Sequence, residues 1–302
     1  MELLPTIVGW LTYSALLSLL ALGVTLLYRT TKVANFAHAS FLTVGGYVAY
    51  TLTIVLSRNP YVGVPVAFVV VGLLGLLLFY AVLEPMRRRN SSTVMLMIAT
   101  LAFDIMMLGV TNIHADYLNT AFRIPSRDVL LSGLDFKFMG EPGVLFVALG
   151  MLAFCAAAMY LLLNFTTLGI ALRASMENPS LSESIGVNVS MMLAVSWFIA
   201  GGLAGIAGSL IPLWTEINPD IGTILLPSIF CASIVGGLEQ IYGAVLGGLL
   251  LGLVDVVGTS VLASIIGPWV SFYEPIIPLI VLSITLIVAP RGLAGIRVRS
   301  GK

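Results

Sequence analysis

Charge is scarce in this 302-residue sequence. Asp, Glu, Lys and Arg make up 9% of it, where a soluble domain carries about a quarter. The balance is even, 14 basic against 14 acidic residues, so nothing points to nucleic acid as a partner. Histidine occurs only as His38 and His114, which excludes a His-Glu-x-x-His zinc helix, and no metal is expected. The two cysteines, Cys155 and Cys231, each sit inside an apolar run. They read as small buried packing residues, not as a disulfide framework. No Gly-x-Ser-x-Gly nucleophile is present. The one stretch resembling a phosphate loop, Gly295 to Lys302, has five residues between Gly295 and Gly301 and ends at its lysine; a working loop has four. No cofactor is therefore expected in this chain, and it is not expected to be an enzyme. No basic residue precedes the first apolar run and no small-x-small cleavage site follows it, so residues 7–28 are expected to be a retained helix and not a signal peptide.

What the chain has in abundance is apolar sequence, 59% of its residues. It falls in blocks of about 20, enough to cross ~30 Å of hydrocarbon. The ten-residue alternation of an outer-membrane barrel is absent. The fold class is an all-α polytopic membrane protein, a single transmembrane domain over residues 1–302 with about 8–9 membrane segments, some of them broken helices. The segments are expected at 7–28, 39–56, 62–83, 93–112, 143–163, 189–213, a short 223–236, 244–266 and 275–289. Residues 113–142 are the longest polar region; Asp128–Leu131 and Leu134–Phe138, split at Ser132-Gly133, suggest a small hairpin. Basic residues favour the cytoplasmic side. With 84–92, 164–188 and the basic tail 291–302 inside and the amino terminus outside, 10 of the 14 Lys and Arg are cytoplasmic; Arg58, Arg123, Arg127 and Lys137 are the other four. The hairpin then lies outside.

Residues 164–188 form a polar island with helix signals of their own. Asn178 can cap an amino end, Pro179 suits the first helical position, and Gly186 can close the carboxyl end with positive φ. Leu181 and Ile185 then share a face, as do Arg173 and Glu177 in the preceding piece. A connection this long and this well capped reads as an ordered element to which something docks.

Two polar breaks interrupt the apolar pattern. One is Asn35-Phe36-Ala37-His38; the other runs from Gly236-Gly237 through Glu239 to Gly243. Non-helical backbone at membrane depth is tolerated where it is buried in protein or lines a watery cavity, so each reads either as a packed kink or as a pathway-lining element. Each break is followed by a helix rich in small residues, and 29–46 and 237–252 are a suspected internal repeat. Gly201/Gly205, Ala204/Gly208, Gly243/Gly247 and Gly248/Gly252 are each four apart, which lets another backbone approach closely. Asp104 and Asp255 lie inside spans and must face the bundle or water. They either hydrogen-bond a neighbouring helix or serve an ion-coupled secondary transporter of a small polar solute.

Three stretches carry a family resemblance. They are Leu22–Leu26 with Lys32–His38 and Gly45–Val48; Thr167–Ala174 with Asn178-Pro179, Gly186–Asn188 and Gly201–Gly208; and Val235–Leu238 with Tyr242–Gly248. Together these resemble the permease subunit of a branched-chain amino-acid type ABC importer, the shorter of that family's two permease types, over about residues 20–255. The resemblance implies a complex in the cytoplasmic (inner) membrane. It would hold a second permease subunit, two cytosolic ATPases that bind ATP and Mg, and an external solute-binding protein. It implies that Arg173, Glu177, Asn178, Pro179, Ser182 and Gly186 belong to the ATPase-coupling element. It places Asn35, Phe36, His38, Ser40, Gly45, Gly46, Gly236, Gly237 and Glu239 near the pathway. Gly201, Gly205, Gly208, Gly243, Gly247 and Gly248 remain packing positions. Ala39-Ser40 after the histidine, Ser182 for a common Ala and Asp255 for a usual Glu depart from the pattern and bear on the choice of solute.

Overall fold

The structure, a computed structural model, describes residues 3–267, 269, 273, 275–289 and 292–294; the basic tail lies outside them apart from 292–294. Helix α1 (Leu3–Thr31) is the axis of the fold. From Tyr13 to Leu27 it is buried on every side, as a helix apolar all round must be. Helix α11 (Ile241–Ile266) runs antiparallel along it, close because small residues face each other. Ser18 Oγ donates to the Val245 carbonyl at 3.1 Å and Ser14 Oγ to the Leu249 carbonyl at 3.4 Å. Gly248 and Gly252 sit against those two serines.

Helix α2 (His38–Ile54) follows a non-helical descent over 32–37. It begins beside Gly23, roughly two turns short of the end of α1. Helix α3 (Gly63–Leu78) passes through a π-turn, Phe79–Leu83, into α4 (Glu84–Arg88). Pro85 has no N–H to offer the carbonyl four residues back, and the Glu84 N–H bonds Phe79 instead. Helix α5 (Thr93–Phe122) starts at a Ser92 cap and continues well beyond the expected end at Asn112. Thr111, Asn112 and Thr120 return their side-chain bonds to carbonyls one turn back, so these polar positions do not break the helix.

The hairpin forms one turn later than expected. Residues Ser132–Leu134 make a 3-10 turn, and the strands are β1 (Lys137–Phe138) and β2 (Glu141–Pro142). The turn between them has φ of 54° at Met139 and 89° at Gly140, the doubly positive pattern that suits a two-residue hairpin. Val129, expected in the hairpin, instead bridges Ile217.

Helix α6 (Gly143–Phe165) returns to the opposite end. There α7 (Thr167–Glu177) and α8 (Pro179–Ser184) form a protruding handle before α9 (Val189–Trp214) crosses back. Helices α10 (Ile221–Gly236) and α12 (Ile276–Val288) are short and apolar. Among the described residues six helices are long and apolar enough to cross a membrane: α1, the α3–α4 run, α5, α6, α9 and α11. With α2, α10 and α12 they fill the expected segments.

The loops sort to two ends. Lys32 meets Glu239 at 3.5 Å at the handle end, where Ser190 also bonds Glu84 at 2.9 Å. At the other end Val8 and Thr12 of α1 share a cavity wall with Asp135 and Phe136 near the hairpin. The start of α1 and the hairpin are therefore on the same side, as the amino-terminus-out reading requires. The interruptions that match in form are not the suspected pair. They are 32–37 and 215–220, each leading into a short helix that starts inside the fold. Helix α2 then runs toward the hairpin end, and α10 toward the handle end.

Candidate functional site: paired broken helices and a capped handle

The starts of α2 and α10 meet. The Gly222 N–H donates to Thr43 Oγ1 at 3.1 Å in a buried setting, and a β-carbon on Gly222 would collide with the Ala39 carbonyl. Two amino-terminal helix ends, both carrying partial positive charge, thus lie side by side within the protein.

Helix α5 supplies what the backbone of 33–40 lacks. Thr100 Oγ1 accepts the Phe36 N–H at 3.2 Å and donates to Met97 O at 2.7 Å. One turn on, Asp104 Oδ1 accepts the Ser40 N–H at 3.0 Å and also the Ser40 hydroxyl, in a short bond. Asp104 therefore caps α2 from a neighbouring helix, the position where a carboxylate is most favourable. Thr100 carries no sequence signal for this role beyond its i,i+4 spacing to Asp104.

The other pathway candidates divide into polar and packing positions. Asn35 and His38 are fully buried; the Asn35 side-chain amide has no hydrogen-bond partner among the described residues, and the His38 ring lies against the Leu20 backbone. Phe36 leans on Phe230 of α10, with ring centroids 5.4 Å apart. Gly45 and Gly46 press on Gly205 and Gly208 of α9, where no side chain would fit. Gly236 sits on Gly243, and Gly237 turns the chain at φ 105°. Glu239 is exposed and pairs with Lys32 at the surface. Gly201 and Gly205 receive the backbone of α3, and Gly247 that of α10. Asp255 accepts the Tyr13 hydroxyl at 3.1 Å, and Tyr13 stacks on Trp214 at 5.2 Å.

The handle is built as its sequence predicts. Asn178 Oδ1 accepts the Leu181 N–H at 3.0 Å, with Pro179 in the first helical position. At the far end Gly186, at φ 89°, donates to Glu183 O at 3.0 Å and Val187 to Ser182 O at 2.9 Å, a Schellman closure. Ser182 is buried and bonds the Asn178 carbonyl. A further cap, Thr166 Oγ1 accepting the Gly169 N–H, holds α7. Arg173 reaches back to Asn164 at 3.4 Å, and among the described residues no ion pair joins it to Glu177. Leu181 and Ile185 are 60% and 70% exposed, leaving an apolar face on the outside. Glu84, also missed from sequence, ties the handle end together: Arg87, Arg88 and Ser190 each bond its carboxylate at 2.9 Å.

Broken helices meeting inside a bundle of membrane-length helices mark a polytopic membrane protein. Comparison makes the class specific. The profile of the branched-chain amino acid transport system permease component matches residues 6–290, and the chain belongs to that family. It is 44% identical over 288 residues to a probable branched-chain amino acid transport permease protein LivH of Methanocaldococcus jannaschii, covering 95% of this chain and 91% of that one. It is 27% identical to the high-affinity branched-chain amino acid permease BraD of Pseudomonas aeruginosa, over 97% of this chain and 95% of the relative. It is 23% identical to LivH of Escherichia coli, over 94% and 92%. No solved structure matches.

Proposed function

We propose that this chain is the membrane subunit of an ABC importer that carries branched-chain or related small amino acids across the cytoplasmic membrane. The observation that carries the proposal is the handle. It is a doubly capped, two-helix element with an exposed apolar face, at the end of the fold that holds Arg29, Lys32 and Arg87–Arg89. That is the form of a part gripped by another protein. In this reading Leu181 and Ile185 enter a groove on a cytosolic ATPase, with Arg173, Glu177, Asn178 and Gly186 shaping the contact. Two such ATPases hold ATP and Mg, a second permease subunit completes the channel, and an external binding protein delivers the solute near the hairpin. ATP-driven closure moves the handle, and the paired breaks at 32–40 and 215–222 rearrange to open the path.

The names of the relatives support branched-chain amino acids as the solute class. An ion-coupled carrier using Asp104 or Asp255 fits less well, since both carboxylates already accept hydrogen bonds within the bundle. Two tests decide. Arg173→Glu and Glu177→Arg should each weaken co-purification with the ATPase and reduce uptake; intact complexes and uptake in both would refute the handle's role. In vesicles of the whole complex, leucine uptake should require ATP. Uptake that persists without ATP and collapses with the proton gradient would establish the ion-coupled alternative.

A further inference from the structure

A cavity of about 270 Å³ lies where the handle meets the membrane body. Its rim carries Arg29, Lys32 and Arg87, and no acidic side chain lines it. Arg87 is bound by Glu84, and Lys32 meets Glu239 only across an exposed 3.5 Å contact. Arg29 forms no ion pair among the described residues. The floor is apolar and includes Phe79 from the π-turn, which widens the helix at this level. Trp197 also lines the cavity and is 1% exposed. Handle residues Ser175, Met176 and Pro179 form the remaining wall.

A cationic rim over an apolar floor, beside the ends of membrane helices, suits a molecule with a negative head and a hydrocarbon tail. We propose that this cavity binds the headgroup of an anionic phospholipid from the leaflet on the handle side. The phosphate lies between Arg29 and Lys32, and the first methylenes lie on Phe79 and Leu193. The lipid thereby joins the handle to α1 and α3. That consequence rests on the coupling role proposed above; the binding does not.

The test uses the full chain, purified in detergent from membranes containing phosphatidylglycerol and phosphatidylethanolamine, with retained lipid measured by mass spectrometry. Phosphatidylglycerol should be enriched on the wild-type protein. The enrichment should fall roughly tenfold or more in the Arg29→Gln/Lys32→Gln double variant, each cation near a lipid surface counting for about 1 kcal/mol. Arg58→Gln/Lys137→Gln, at the other end, should retain it. The single variants Arg29→Gln and Lys32→Gln should each lose enrichment several-fold even if the double variant does not fold. Equal enrichment in wild type and both folded single variants, or in wild type and a folded double variant, overturns the proposal. So does a third result, in which millimolar inorganic phosphate raises the wild-type melting temperature while phosphatidylglycerol is not enriched; the site would then be one for a soluble anion.

Discussion

Asp104 shows how a charge inside a membrane helix can be structural. Its carboxylate accepts both the amide and the hydroxyl of Ser40, and so closes the open end of α2. Asp104→Ala should leave that end unsatisfied and destabilise the protein by about 1–3 kcal/mol. Asp104→Asn keeps an acceptor and loses only the charge, and should be milder. Thermal unfolding in detergent checks the order. Uptake separates the two roles: a cap leaves Asp104→Asn largely active, whereas a proton relay would make it as inactive as Asp104→Ala. Neither the cap nor the Thr100 bond beside it was legible in the sequence. The partners are 64 positions apart, and no spacing rule links residues that far removed. Glu84 left a fainter trace, since Arg87 and Arg88 follow it at i+3 and i+4. What could not be read is that Ser190 completes the set.

At the level of the element, the handle was readable because each of its signals is local. Asn178, Pro179 and Gly186 act within four residues of themselves, and the structure uses each as its chemistry dictates. The hairpin expected within 113–142 is present, with its strands shifted along the chain. Its turn needs positive φ at Met139, a conformation that methionine does not advertise, so the more obvious Ser132-Gly133 drew the turn to itself. The end of α5 was placed too early because Thr111 and Asn112 read as polar loop residues, although their side chains bond the helix they sit on. Leu181 and Ile185 give the sharpest prediction here. Both project outward from α8, so Leu181→Asp/Ile185→Asp should leave melting temperature and membrane insertion unchanged. Co-purification of the proposed ATPase partner should nevertheless fall at least tenfold, as measured by pull-down.

For the molecule as a whole, the arrangement that matters is the meeting of α2 and α10. They start together and run to opposite ends, one after a descent from the handle side and one after a descent from the hairpin side. The sequence offered the wrong pair of segments for this relation, because Gly236-Gly237 looks more like a break than 215–220 does. Gly237 turns the chain between α10 and α11 at φ 105°. If transport separates the two short helices, joining them should stop it. Phe36→Cys/Phe230→Cys, in a background with Cys155 and Cys231 replaced by Ala, should lose uptake on treatment with a short cleavable bis-maleimide and regain it when the linker is cut. Unchanged uptake in the fully linked protein would exclude separation at this point.

The serine–glycine contact between α1 and α11 bears on where such motion can occur. A β-carbon on Gly248 would lie 2.5 Å from Ser18 Cα, so the two helices are seated backbone to backbone and cannot slide past one another without climbing over side chains. They form a fixed mast. Alternation between the two faces of the membrane must then be carried by whatever swings about that mast, and a methyl group added at Gly248 would loosen the bearing itself.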